Sequence, residues 1–545
     1  MLTRREVLAA FLGVPAALAA CRRDEPARLP EGEIVGASDA VGHRLREASR
    51  VEVPAERWER TGVCIVGGGV AGLAAAWRFL KAGYDDFVLL ELERAAGGTS
   101  ASGAAHGVVP YPWGAHYVPA PTADNRALVS LLEEMNVVEG RDARGEPVVA
   151  EQFLCRDPEE RVFYRGRWYE GLYLYAGASH EELAQLERFN AEVSAWAAWR
   201  DARGRRAFTI PVSAGSDDAE VTSLDRLTMA EWMEAHGFTS PRLRWFVDYG
   251  CRDDYGLTVE QTSAWAGLFY FASRMRAPGE ETQPLITWPE GNGRLVAHLH
   301  ERARRQVRLG FAAADIAPAE TGGVDVVAVG YDGRETLGLR ARRVVFAAPQ
   351  FLAPYLIRPY REGDATARAR EFEYGAWMVA NLFLDERPRR NLGFAPAWDN
   401  VLYESPSLGY VSATHQKGID RGPAVFTYYF PLTDDDPRAA RTRLLSAGWR
   451  EWADVTLTDL ARAHPEIRAV TRRLDVMRWG HAMIRPRAGF VWGEARRRAA
   501  EPFRSIHFAH TDLSGVALFE EAFDHGLRAA EEVLRAEGRD APTVR

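Results

Sequence analysis

The sequence predicts an α/β fold, and three features carry that expectation. The short apolar run Thr61–Val66 leads into a glycine turn and then an apolar helix-like stretch, Leu73–Lys81, in the order strand, turn, helix. A second apolar run, Phe87-Val88-Leu89-Leu90, follows at the distance of a βαβ unit. At 545 residues the chain is several times a usual single domain, so the first unit is expected to belong to one of two interleaved domains.

Composition narrows the function classes. Apolar residues make up 47% and charged residues 26%, which is ordinary for a globular chain, and no run after the N-terminus is apolar over the width of a bilayer. The net charge of -8 is modest, and arginine and acidic residues alternate instead of forming blocks, so nucleic acid is not expected as a partner. Cys21, Cys64, Cys155 and Cys251 stand far apart, without the spacing of a zinc site, and no metal is expected. Cys64, Cys155 and Cys251 read as buried thiols. Lys81 and Lys417 are the only lysines.

The N-terminus reads as an address. Arg4 and Arg5 precede the apolar stretch Val7–Ala20, the layout of a twin-arginine export signal, and the stretch ends in Leu18-Ala19-Ala20-Cys21, which resembles the bacterial lipobox. Residues 1–21 are therefore expected to be a signal that leaves a lipid on Cys21, making a membrane-anchored periplasmic or cell-surface lipoprotein. Residues 22–60 are polar with scattered Pro, Gly and Ala and read as a tether. The twin-arginine route carries folded proteins, which suits a chain loaded with a cofactor before export.

The glycine turn has the chemistry of a dinucleotide site. In Gly67-Gly68-Gly69-Val70-Ala71-Gly72 the first glycine allows the turn, Gly69 lets backbone approach a pyrophosphate, and Gly72 permits close helix packing. The helix N-terminus at Val70 and Ala71 then offers free N–H groups to phosphate. Glu91, closing the second strand, stands where ribose hydroxyls need an acceptor, and its charge disfavours the extra phosphate of NADP.

Further motifs give the unit a family. Gly97-Gly98-Thr99 resembles the second glycine pair of flavin amine oxidases and related FAD enzymes, with Thr99 where that family usually has arginine. Tyr111-Pro112-Trp113-Gly114-Ala115-His116-Tyr117 is similar to the family segment that passes beside the flavin ring, implying contacts at Gly114 and Ala115; His116 is either near the ring or structural. Trp288-Pro289-Glu290-Gly291-Asn292-Gly293-Arg294-Leu295 and the strand ending Ala347-Ala348-Pro349 resemble the middle of these enzymes, which places Ala313 at the adenine. Ile506–Asp512 and Phe519-Glu520-Glu521-Ala522 resemble their C-terminal part, which makes Asp512 and Phe519 cofactor contacts.

The resemblance implies a Rossmann-like FAD-binding domain assembled from three chain segments, 61–149, 284–349 and 484–545, with an interleaved α+β substrate domain from 150–283 and 350–483. FAD is expected to be bound without a cysteinyl link, since no cysteine lies in the last half of the chain. His116, Asp254, Tyr428 and His481 are the candidates for catalysis, Asp254 and Tyr428 coming from aromatic and acidic stretches of a kind that more often builds core and surface.

The sequence departs from the family at three points. Trp377–Leu384 occupies the strand that commonly carries a lysine, Leu518 replaces an aromatic, and His510 stands for a glycine. An FAD-dependent oxidation of an amine C–N bond by hydride transfer to flavin is the first reading, its amine class implied by the resemblance; the electron acceptor stays open, and the missing lysine is compatible with one other than oxygen. A desaturase or oxidase of C–C bonds in an apolar molecule, and a non-catalytic flavin-binding lipoprotein, stay open beside it.

Overall fold

The computed structural model describes residues 29–39, 41–43, 51–275, 283–320, 322–361, 364–389, 392–539 and 541–545. The expected signal and the lipid site Cys21 lie outside the described residues. Among those described, no helix is long and apolar enough to cross a membrane.

The protein is α/β, built on two large sheets. The first has the order Val307–Leu309, Phe87–Glu91, Trp58–Val66, Thr336–Phe346, Val324–Gly330, Phe311–Pro318, with Ile506–Phe508 also pairing Thr336–Phe346. Its first four strands and Ile506–Phe508 run parallel, and the Val324–Gly330 and Phe311–Pro318 strands form an antiparallel flap. Val63 to Val66 are all buried, as a parallel strand covered on both faces requires. One cover is the Val70–Lys81 helix, packed on the long C-terminal helix Phe519–Ala536. The strands come from three distant parts of the chain, so the sheet exists only once all three have met.

The second sheet is mostly antiparallel, in the order Ile34–Gly36, Thr471–Ile484, Tyr374–Leu384, Ala424–Leu432, Gly409–Ser412, Asp399–Leu402, Glu160–Tyr164, Arg167–Glu170. One face packs on the helices Pro437–Ser446 and Trp449–Leu460. The other meets Tyr111 and Trp113 of the first domain through Trp377, Val379, Trp398 and Tyr429. Strand alternation explains the division: Met378, Ala380 and Tyr428 fall on the first face, and Trp377, Val379 and Tyr429 on the second. The helices His180–Ala198, Met229–Ala235, Pro241–Tyr255 and Ala264–Ala272 form a third core. Ser179 and Glu182 close a capping box at the start of the first, and Thr228 and Glu231 at the start of the second.

Two sequence boundaries differ from the structure. Part of the expected tether is docked: Ile34–Gly36 pairs with Thr471–Ile484, and Ser38 bonds Glu93 through N–H (2.8 Å) and Oγ (2.7 Å). Low hydrophobicity hid this, because the segment is held by edge pairing and polar contacts. The expected boundary at residue 483/484 falls inside one strand, Thr471–Ile484, which starts in the second sheet and ends at the nucleotide cleft.

Candidate active site

A cleft of about 1560 Å³, counting its open mouth, runs along the carboxyl ends of the parallel strands. Gly67, at φ +107°, turns the chain under Ala347 in a conformation an L side chain resists. Gly72 lies behind the turn, not on the cleft wall: a Cβ there would sit 1.9 Å from the Gly67 carbonyl oxygen. Gly69 is the converse, since a Cβ there would meet no protein atom within 4 Å and would point into open space. Val70 and Ala71 line the cleft at the helix N-terminus, where unpaired N–H groups favour an anion.

Glu91 also lines the cleft and accepts N–H bonds from Gly68 (2.6 Å) and Glu93 (2.8 Å). Burial pushes its carboxyl up, and those backbone donors partly offset the rise. The second glycine pair is tied to the first by Gly97 N–H to Gly68 O at 2.9 Å, which places Gly97, Gly98 and Thr99 on the same wall. Ala115 N–H donates to Thr99 O (2.9 Å), so Ala115 lines the cleft, while Gly114 sits behind it against the Thr99 carbonyl. The Trp288–Leu295 segment clamps this stretch: Asn292 N–H reaches Ala115 O (3.1 Å) and Asn292 Nδ2 reaches Tyr117 O (3.0 Å). Ala313, from the antiparallel flap, also lines the cleft.

The C-terminal motif closes the wall with Asp512 and Phe519. Asp512 is fully buried, and its Oδ2 accepts from Gln350 N–H (2.7 Å) and Tyr374 OH (2.5 Å). Its Oδ1 lies 2.9 Å from His510 Nδ1, but that nitrogen faces the Asp512 N–H at 3.3 Å as acceptor, and Oδ1 is left without a hydrogen-bond donor. An orphaned buried acceptor on a cleft wall, a phosphate cradle and a ribose acceptor together fit FAD: the glycine turn would hold its pyrophosphate, Glu91 a ribose, and Asp512 a hydroxyl. Among the described residues no cysteine lines the cleft; Cys64 and Cys251 are buried free thiols and Cys155 is half-buried.

His481 lines the cleft and stacks on Phe351 at 4.1 Å. Trp479, two positions earlier on the same strand, also lines it and donates Nε1–H to Trp113 O (2.6 Å). Tyr374, Trp479 and Ile484 were not anticipated, because strand residues that reach the cleft from the second sheet carry no motif. Tyr428 is a correction: its hydroxyl donates to Asp459 (2.9 Å) within the core behind the sheet. Tyr429 takes the expected position, donating to Gly114 O (2.8 Å), and only the alternation of the strand distinguishes the two.

Beyond Ala115 lies a small chamber, where His116, Glu160, Asp253 and Asp399 are enclosed by protein yet keep some accessible surface. His116 is boxed by Tyr429 (4.8 Å), Tyr117 (5.2 Å) and Trp398 (5.3 Å), and burial lowers its imidazole to about 4, so it is neutral. Asp254 is buried and paired with Arg274 at 2.7 Å, with Tyr117 OH at 3.5 Å. Asp253, Asp399 and Glu160 stand nearby, and burial pushes all three carboxyls up, Asp399 to about 7. Neither lysine is here: Lys81 pairs with Glu134 (3.0 Å) and Lys417 is exposed on a surface turn.

The model of the flavin containing amine oxidoreductase family matches residues 70–534. Among solved structures, a putrescine oxidase double mutant matches with TM-score 0.62 and 16% identity, over 88% of this chain and all of that one. Cyclohexylamine oxidase from Brevibacterium oxydans gives 0.60 and 16% over the same shares. A fatty acid isomerase from P. acnes gives 0.59 and 15%, over 87% of this chain and 98% of that one. At these identities the likeness is one of fold. No curated protein sequence matches the chain.

Proposed function

Since the chain belongs to the flavin containing amine oxidoreductase family and is thereby an FAD-dependent oxidoreductase, we propose that it oxidises the C–N bond of an amine. The observation that carries this reading is the chamber one residue beyond Ala115, where aromatic rings face carboxylates that the protein leaves without enough cations. Aromatic faces and carboxylates attract an ammonium group and bring its chain to the cleft.

Bound FAD would supply the two-electron acceptor for a hydride leaving the carbon beside the nitrogen. The residues of this chain have the other tasks. The glycine turn, Glu91 and Asp512 hold the cofactor in one position. Ala115, held by Thr99 and Asn292, fixes the distance between cleft and chamber. The rings of His116, Tyr117, Trp398 and Tyr429 exclude water, and the neutral His116 adds no charge that would repel a cation. Without a lysine at the Trp377–Leu384 strand, electrons pass to an acceptor other than oxygen in this reading.

C–C chemistry on an apolar molecule is the second reading, suggested by the isomerase that shares the fold. An apolar ligand would leave the chamber carboxylates unpaired, at a cost of a few kcal/mol for each buried polar group, so the amine is favoured. The export signal and Cys21 support placement of the enzyme on a membrane by a lipid, in the periplasm or at the cell surface. Anaerobic reduction of the flavin by an amine tests the proposal.

A further inference from the structure

The chain just before the first sheet is tied to both domains. On one side it adds an edge to the second sheet. Ile34 and Gly36 pair with Val476 and Met477, Leu474 N–H donates to Glu31 O (2.8 Å), and Val476 N–H donates to Glu33 O (2.9 Å). Arg473 bridges Glu33 (2.5 Å) and Asp475 (2.8 Å). The strand covered in this way is Thr471–Ile484, which supplies Trp479 and His481 to the cleft.

On the other side the segment reaches the first domain. The Ser38 N–H and Oγ–H donate to the two carboxylate oxygens of Glu93 (2.8 and 2.7 Å), so the Tyr331 OH, 2.6 Å from the same Oγ, donates to it. Glu93 N–H in turn donates to Glu91 Oε1 (2.8 Å), while Gly68 N–H holds Oε2 (2.6 Å). Ser38 thus grips the loop that aims the ribose acceptor. One helical turn beyond Ser38, whose carbonyl accepts from Val41 N–H (3.1 Å) and Gly42 N–H (3.3 Å), Val41 is buried and Gly42 lines the cleft. A Cβ at Gly42 would meet no protein atom within 4 Å, as at Gly69. Protection of a bare sheet edge explains the pairing of Ile34–Gly36. It does not explain why the chain then crosses to the other domain and binds Glu93 there.

We propose that residues 31–39 and 41–43 are part of the cofactor site, a strap across the ribose end of the cleft. Ser38 is a positioning residue that sets Glu91 through Glu93, and Gly42 completes the wall beside it. Charge-assisted hydrogen bonds from Ser38 to Glu93 hold the strap down, and FAD leaves only when they open. The assignment rests on the FAD site alone and is the same for amine and for C–C chemistry.

The test uses the full FAD-loaded chain and its S38A variant, which lacks the hydroxyl shared by Glu93 and Tyr331. FAD release after dilution, read as the rise in flavin fluorescence, should be at least about tenfold faster in S38A. The melting temperature should fall further in FAD-loaded S38A than in its apoprotein, because a positioning role acts through the bound cofactor. In wild type, hydrogen exchange of the amides of residues 33–38 should be slower with FAD bound than in the apoprotein, and S38A should erase most of that difference. Release at the wild-type rate overturns the strap, as does equal destabilisation of both forms of S38A, which would leave Ser38 serving the fold alone. Exchange in residues 33–38 that does not respond to FAD overturns it even if S38A fails to fold, since that measurement needs only the wild type.

Discussion

Gly69 and Gly72 sit three residues apart in the same turn, yet alanine at each should fail for different reasons. At Gly69 the backbone is extended (φ -70°, ψ -176°), a conformation any residue adopts, and an added Cβ meets no protein atom within 4 Å. G69A should therefore fold nearly normally, losing no more than about 1 kcal/mol from the helix N-cap. The methyl group occupies the space a pyrophosphate would take, and an overpacking cost of about 1–3 kcal/mol corresponds to roughly 5- to 150-fold weaker FAD binding. At Gly72 the Cβ would stand 1.9 Å from the Gly67 carbonyl oxygen, backbone that yields only if the turn and the helix move apart. G72A should lose stability in the apoprotein by at least about 2 kcal/mol, and FAD affinity with it. Urea unfolding of the apoproteins and quenching of FAD fluorescence on reconstitution separate the two effects. Wild-type FAD affinity in G69A would refute the placement of the pyrophosphate against this turn.

Four more outcomes follow from the same structure. D512N puts an amide where two donors meet Oδ2, and FAD affinity should drop at least about tenfold in reconstitution titrations. Burial raises Asp399 and Glu520 to about 7 and Glu521 to about 8. Acids raised in the folded state give stability that is complete below their unfolded values and lost as pH rises through the folded ones, so the apoprotein Tm should fall from about pH 5 to 8; a rise across that window contradicts the burial of these groups. Substrate-reduced flavin should reoxidise at least about tenfold more slowly in air than with a phenazine acceptor, as followed by the flavin band. C21S should move the expressed protein from the membrane fraction to the soluble fraction on ultracentrifugation.

Much of the nucleotide site could be read in the sequence because its physics is local. A turn that needs φ above zero at Gly67, no side chain at Gly72 and an acid ending the next strand leaves a pattern within about thirty residues. Asp512 and Ala313 were placed by likeness alone, since only the completed sheet brings their segments to the cleft. The chamber was harder to read. Asp399 and Glu160 become neighbours through parallel strand pairing across more than two hundred residues, and no spacing announces that. Choosing Tyr428 over Tyr429 was a one-residue error on a strand buried on both faces, where hydrophobicity does not show which side is which. The docked Ile34–Gly36 segment was missed for a similar reason, because three residues of edge pairing leave no periodicity.

Anaerobic titration of the FAD-loaded protein with amines, watching the flavin absorption, tests the central claim most directly. Bleaching by an amine, with the corresponding aldehyde found among the products, is the predicted result. A flavin band unchanged by every amine but bleached by an apolar molecule with an oxidisable C–C bond would contradict it.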